Sequence, residues 1–399
     1  MNEQLPLLAL QDLANNEPEA EGEEDLASLN TATFSQAVVF STDWTAETIL
    51  LQLDKGNISL DPGYQRRDAW RPDRKSRFIE SLLLGLPIPQ IVLAEAKGRK
   101  GSYIVIDGKQ RLLSLQQFAA KPDAPHKPLA LSGLSVLMKL NGLTLHDMES
   151  DPGLQSEVSS FQNQPIRTVV LRNWPSEDFL YLVFHRLNTG SVQLSPQELR
   201  QALHPGEFVA FTVERSAQSG GLQKFLRIQS PDFRMRDVEL LVRFYAFHFF
   251  IDLYNGNLKW FMDMTCLTLN QKWKDERTLI ESAADDMDAA IEVTFELFGN
   301  EGAFRKWEGD KYQARRNRAV FDIMVFYFSK KDIRSRSIER KEQVVEAFRT
   351  LCDNPEFVRT LEATTKSITA TQLRLAAWGN ALSVAIELPI QVPQFGAQQ

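Results

Sequence analysis

The sequence predicts an α+β protein in which a small mixed sheet is followed by an all-α helical bundle. Three observations carry this. Short β-prone runs at residues 90–95, 103–106 and 166–171 all fall in the first half of the chain. Glycine and proline turns join them to segments with helical apolar spacing. From Pro205 onward strand signals fade and long helical periods take over. The expected organisation is an acidic disordered tail at 1–33, an α+β domain at 34–205 and a helical domain at 206–399.

Taken in order, residues 43–53 have a capping-like start and helical spacing that ends at Gly56. Residues 57–60 read as a short strand leading into the turn Asp61-Pro62-Gly63. Pro72 and Asp73 open a helix with Phe78, Ile79, Leu82 and Leu83 on one stripe, and Gly85 stops it. Residues 90–95 and 103–106 are expected to pair as a hairpin or as sheet neighbours. Residues 122–128 are a loop, and 129–164 give no clear pattern. After the strand at 166–171, Pro175 and Ser176 introduce a helix whose first turn carries Glu177 and Asp178, where negative charge suits the helix dipole. Ser195-Pro196-Gln197-Glu198 is a capping box with proline at the first helical position. Beyond it, helices are expected at 237–253, 285–298, 318–328, 342–351 and 374–388.

At 399 residues and 43% hydrophobic content the chain can build a large core, and two domains are a reasonable expectation. Its two cysteines, Cys266 and Cys352, form no C-x-x-C pair and no disulfide framework. With five scattered histidines they give no zinc pattern. No basic, apolar signal peptide opens the chain, and the most apolar stretch, 238–253, contains Glu239, Arg243, His248 and Asp252. A soluble, cytoplasmic protein without a membrane span is expected. The net charge is −7, but residues 1–30 hold eight acids and no Lys or Arg; removing those eight negative charges from −7 leaves +1. The acidic segment reads as a solubilising tail or as a shield over a basic groove.

Residues 103–115 run strand, Asp107-Gly108 turn and helix start within a dozen positions. Amides at a helix N-terminus lack intrahelical partners and sit at the positive end of the dipole. Glycine lets an anion approach that backbone closely. Lys109 and Arg111 add cations, Gln110 a neutral donor and Asp107 a carboxylate. This is a phosphate cradle with an acid beside it, or else a plain strand-to-helix turn with two solvated cations. It is not a P-loop, because Gln110 stands where Ser or Thr should bind magnesium and Tyr103 where the earlier glycine should be.

Upstream, Tyr64, Arg66, Arg67, Trp70, Arg71, Arg74, Lys75 and Arg77 cluster in a polar, broken segment. Arg suits bidentate phosphate contact, and Tyr or Trp can stack on a base, so Tyr64, Arg67, Trp70, Arg71 and Arg74 are candidate nucleic-acid contacts. The alternative is a solvated helix face with Trp70 folded onto the core. Downstream, Arg186-Leu187-Asn188-Thr189-Gly190 ends a helix in a polar loop that either faces a ligand or is a simple helix-to-helix turn. The basic runs Arg315-Arg316-Asn317-Arg318 and Lys330 to Lys341 read as solvated faces, with a nucleic-acid backbone as the alternative.

Together these motifs resemble the N-terminal domain of GmrSD-type restriction systems, in the ParB/sulfiredoxin-like superfamily. Tyr64-Gln65-Arg66 with Trp70 is similar to its Tyr-Gln-Arg-x-x-x-Trp. Asp107-Gly108-Lys109-Gln110-Arg111-Leu112 is similar to its Asp-Gly-Gln-Gln-Arg-Leu. Arg186-Leu187-Asn188-Thr189-Gly190, with Leu194 and Glu198-Leu199, is similar to its Arg-x-Asn-x-Gly and Leu-x-x-x-Glu-Leu. The helical stretch from Met235 to Phe247 also resembles the next segment of that family.

The resemblance implies a ParB/sulfiredoxin-like fold that binds and hydrolyses an NTP with magnesium in a phage-defence or restriction-type system. Gly108, Lys109, Gln110 and Arg111 would hold phosphates, with Gln65 and Arg66 closing over them. Asp107 would hold magnesium or a water, Asp107 and Gln110 would be catalytic, and Arg186 and Asn188 would line the opposite wall. Lys109 departs from the family's Gln, and Asp68 stands where a second aromatic is common. No His-Asn-His nuclease signature occurs in the second half, so cleavage by this chain alone is not expected. DNA, a separate nuclease or other effector, and a second copy of the chain are the implied partners. The alternatives are a non-catalytic DNA-binding module and a structural partner with a vacant pocket.

Overall fold

The computed structural model describes residues 36–60, 68–122, 124, 127–187, 195–362 and 367–395. They fall into two compact units. One runs to Leu203 and includes Phe233–Met235; the other comprises His204–Asp232 and the chain from Arg236 onward. The expected acidic tail lies outside the described residues.

The first unit is built on a four-stranded sheet. Its elements are β1 (Val38–Thr45), α1 (Ala46–Asp54), α2 (Pro72–Leu83), β2 (Ile91–Glu95), β3 (Tyr103–Asp107), α3 (Lys109–Phe118), α4 (Leu145–Ser150), α5 (Gln155–Asn163), β4 (Pro165–Arg172), α6 (Glu177–Leu187) and α7 (Pro196–Leu203). The strand order is β1-β4-β2-β3. β1 and β4 are antiparallel, β4 and β2 parallel, and β2 and β3 pair as an antiparallel hairpin, one of the two arrangements expected for them.

The period-2 alternation of a strand decides the layering. Ile91, Leu93, Val105, Ile166 and Val170 face one core, which α1, α2, α3 and α5 close with Ile49, Ile79, Leu115 and Phe161. Val92, Ala94, Ile106 and Leu171 face another, closed by Phe179, Leu180 and Phe184 of α6 and Leu199 of α7. The sheet is therefore covered on both faces, with α3 on one and α6 and α7 on the other.

Several local expectations needed correction. β1 is a full strand where the sequence suggested a helix from Asp43; the helix starts only at Ala46, with the Thr45 side chain accepting from the Thr48 amide. Residues 57–60 form no strand, only a single bridge between Ile58 and Tyr103. The unassigned region contains α4, capped reciprocally by Thr144 and Asp147, and α5.

The second unit is helical: α8 (Glu207–Gln218), α9 (Gly220–Leu226), α10 (Arg236–Phe250), α11 (Leu258–Gly302), α12 (Arg318–Phe328), α13 (Lys331–Glu339), α14 (Lys341–Cys352), α15 (Pro355–Glu362) and α16 (Ile368–Ile386), with a two-stranded hairpin of β5 (Trp307–Glu308) and β6 (Lys311–Tyr312). α11 is far longer than the expected 285–298 and breaks at Gly299 (φ 67°). Buried tyrosines tie helices through their hydroxyls: Tyr245 donates to the Ile280 carbonyl at 2.7 Å and Tyr327 to the Leu375 carbonyl at 2.8 Å. Among the described residues no helix is long and apolar enough to cross a membrane.

Candidate functional site

β3 ends at Asp107 and α3 begins at Lys109, so one residue must turn the chain. Gly108 does so at φ 101°, ψ 10°, in the left-handed region where a side chain is strained. A Cβ there would also meet Ile91 Cγ1 at 3.2 Å and Arg111 Nη2 at 3.3 Å. As the N-cap of α3, Gly108 has no side chain with which to cap the first-turn amides, so the positive end of the helix carries no side-chain cap among the described residues.

Arg111 sits over this turn. Its Nη2 donates to Asp107 Oδ2 at 2.8 Å and to the Gln90 carbonyl at 2.9 Å, joining the end of β3 to the residue before β2. Its Nε is buried and has no hydrogen-bond partner among the described residues. The Asp107 side chain is about a third exposed, at 36%, so the acid is accessible while its arginine is not.

The two residues between them are held by the other two motifs. The Lys109 ammonium pairs with Glu198 Oε1 at the start of α7, and both side chains are buried. Glu198 Oε2 also accepts from the Ser195 amide at 2.7 Å, and the Glu198 amide donates back to Ser195 Oγ at 3.2 Å, which is the expected capping box. Gln110 Oε1 accepts from the Trp70 amide at 3.2 Å, just before α2. With the oxygen turned toward Trp70, the Gln110 NH2 remains as a donor.

Of the candidate nucleic-acid contacts, Trp70 packs edge-on to Phe78 at 5.9 Å, on the rim of the core, and the Arg74 guanidinium lies 4.7 Å above its ring. Arg71 is exposed at the N-cap of α2. Lys75, from the same run, is buried: it pairs with Asp68 and donates to Gln117 Oε1 at 2.7 Å. Arg186 is exposed in the last turn of α6, in the layer across the sheet from α3. Tyr64, Gln65, Arg66, Arg67 and Asn188 lie outside the described residues.

Sequence reasoning missed two partners that decide this geometry. Glu198 was visible as part of a helix cap but not as the counter-charge of Lys109. Asp68 was visible only as a departure from an aromatic, yet with Lys75 and Gln117 it fastens the segment before α2 to α3.

Residues 48–205 match the family model described as the GmrSD restriction endonuclease, N-terminal domain. No curated protein and no solved structure matches the chain. The match spans every described element from within α1 to α7, and with them Trp70, Asp107–Arg111 and Glu198. Residues 48–205 are therefore a GmrSD restriction endonuclease N-terminal domain, the mark of a component of a restriction-type system.

Proposed function

We propose that the Asp107–Arg111 turn binds the phosphates of a nucleoside triphosphate, and that the chain is the nucleotide-hydrolysing regulator of a restriction-type defence system that acts on DNA directly or through a separate effector. The observation that carries this is the pairing of a left-handed glycine N-cap with an arginine whose buried Nε lacks a partner beside it. Buried polar groups are nearly always satisfied, so one facing a helix N-terminus suits an anion.

In this reading the α3 amides and Arg111 hold the phosphates, Gln110 positions a water as a donor, and Asp107 is the acid at the reacting side. Lys109 acts indirectly, since its charge is balanced by Glu198. Among the described residues no three-ligand cluster includes Asp107. A single accessible carboxylate does fit magnesium that keeps phosphates and waters as its other ligands. When bound, that ion would neutralise charge on the phosphates.

Nucleotide turnover with and without duplex DNA tests the reading. The parent should hydrolyse an NTP, and Asp107→Ala and Arg111→Ala should each lose at least about tenfold in rate, as expected when an electrostatic contact to a transferring phosphoryl is removed. Unchanged turnover in both variants would show that the site lies elsewhere. A second reading, a non-catalytic DNA module, is favoured by the Arg74–Trp70 stack; it predicts salt-dependent duplex binding that Arg71→Ala weakens and that no nucleotide affects.

A further inference from the structure

The second unit contains a group of arginines that its own acids do not balance. Arg227 is the C-cap of α9, in the left-handed region at φ 57°. Arg316, just before α12, reaches back to the same helix end and donates through Nη1 to the carbonyls of Lys224 and Phe225, the latter at 2.6 Å. Arg305, just beyond the end of α11, donates through Nη1 to the Glu301 carbonyl at 2.9 Å. The Nε atoms of Arg305 and Arg316 are both buried without a hydrogen-bond partner among the described residues. None of the three arginines forms an ion pair among the described residues, although most buried or half-buried cations of this unit do, such as Arg215 with Asp288 at 2.7 Å and Arg318 with Glu239 at 2.7 Å.

The floor beneath them is aromatic. The Phe295 ring meets two cations, Lys224 Nζ at 4.2 Å and the Arg316 guanidinium at 4.8 Å. Phe304 packs against Phe225 and Phe295. Such a floor fixes the guanidiniums but supplies no counter-charge. Burial, then the neighbouring Arg227 and Arg305, push the Arg316 guanidinium down to about 10, and burial with Arg227 also pushes Arg305 down. Glu301 acts on Arg305 in the opposite sense, and Glu292, 3.2 Å from Lys224, already serves that lysine.

We infer that Arg227, Arg305 and Arg316 form a phosphate-binding site that takes the backbone of a nucleic acid. Three guanidiniums, one exposed and two half-buried, that form no ion pair among the described residues match the oxygens of a phosphodiester. The site uses none of the residues of the Gly108 turn, so it stands or falls without the nucleotide reading.

The test is binding of the full chain to a fluorescent 20-base-pair DNA duplex across a salt series, with Arg227→Gln/Arg305→Gln as the variant. Arg316 is left intact because it holds the end of α9. The expected result is weaker binding of every duplex sequence, with the slope of log K against log salt shallower by roughly 2, about 0.9 for each phosphate no longer neutralised. The variant's melting temperature should stay at or above the parent's, because like charges have been removed. A parallel melting series with inorganic phosphate separates the sources. If phosphate raises the parent's melting temperature but the variant binds duplex with unchanged slope, the ligand is a free anion and the nucleic-acid assignment fails. It fails equally if the parent shows no salt-dependent duplex binding, or if parent and variant bind alike.

Discussion

Lys109 and Glu198 form a buried ion pair across 89 residues of sequence, fixing the first turn of α3 to the first turn of α7 through the edge of the sheet. A buried pair of this kind contributes little net stability when whole, because desolvation offsets the attraction, but breaking it leaves a bare charge. Glu198→Ala is therefore expected to destabilise the first unit by about 3–5 kcal/mol, read by urea denaturation. Lys109→Met/Glu198→Leu together should cost clearly less than Glu198→Ala alone. Equal losses would mean that the pair acts mainly through the Ser195 cap.

Gly108→Ala should destabilise by more than about 1 kcal/mol, since it adds left-handed strain to a 3.2 Å contact with Ile91. Gly56→Ala, also at positive φ (67°) but with nothing near its Cβ position, is the control and should cost less. Denaturation midpoints of the two variants decide it.

Glu80 supplies a pH test. Burial pushes its carboxyl up, but the amides of Leu137, Val136 and Ser135 and the Ser135 hydroxyl all donate to it and hold it below the usual value of 4.5. A group with a depressed folded pKa contributes stability above its unfolded pKa and loses it as pH falls through the folded one. The stability difference between parent and Glu80→Gln should thus be full above about pH 5 and shrink as pH falls below about 4.5. A difference independent of pH from 3 to 7 would contradict this.

In the second unit, Asp322 accepts from Arg243 Nε at 2.7 Å and lies 3.6 Å from Arg374, all three buried. Asp322→Asn keeps the shape and removes the carboxylate charge, and should cost about 3–5 kcal/mol in chemical denaturation. A loss below about 1 kcal/mol would show that these arginines are balanced elsewhere.

Much of the first unit was legible because its signals are local. Gly85 stopping α2, the hairpin of β2 and β3, and the Ser195 cap each arise from a few adjacent residues. β1 was not, because it is an edge strand whose Val38, Val39 and Phe40 are all exposed, so no alternation of burial marks it. The long α11 was hidden by polar turns such as Lys274, Asp275 and Glu276, which lie on its solvent face and blur the apolar period. The strand-to-helix turn at Gly108 was readable from the residues on either side of it, whereas the pairing of Lys109 with Glu198 was not. A lysine's charge is local, but whether it meets a ligand or a glutamate 89 residues away is settled only by packing.

The most direct measurement is a thermal-melting titration of the full chain with a panel of nucleoside triphosphates and magnesium. A ligand bound only by the native state stabilises by about 2.7 kcal/mol at one hundred times its Kd, equivalent to roughly 5–10 °C for a unit of this size. A rise of that order is expected for at least one NTP, abolished in Arg111→Ala although that variant remains folded. No shift for any nucleotide up to millimolar concentration, or an equal shift in Arg111→Ala, would contradict a nucleotide site at the Gly108 turn.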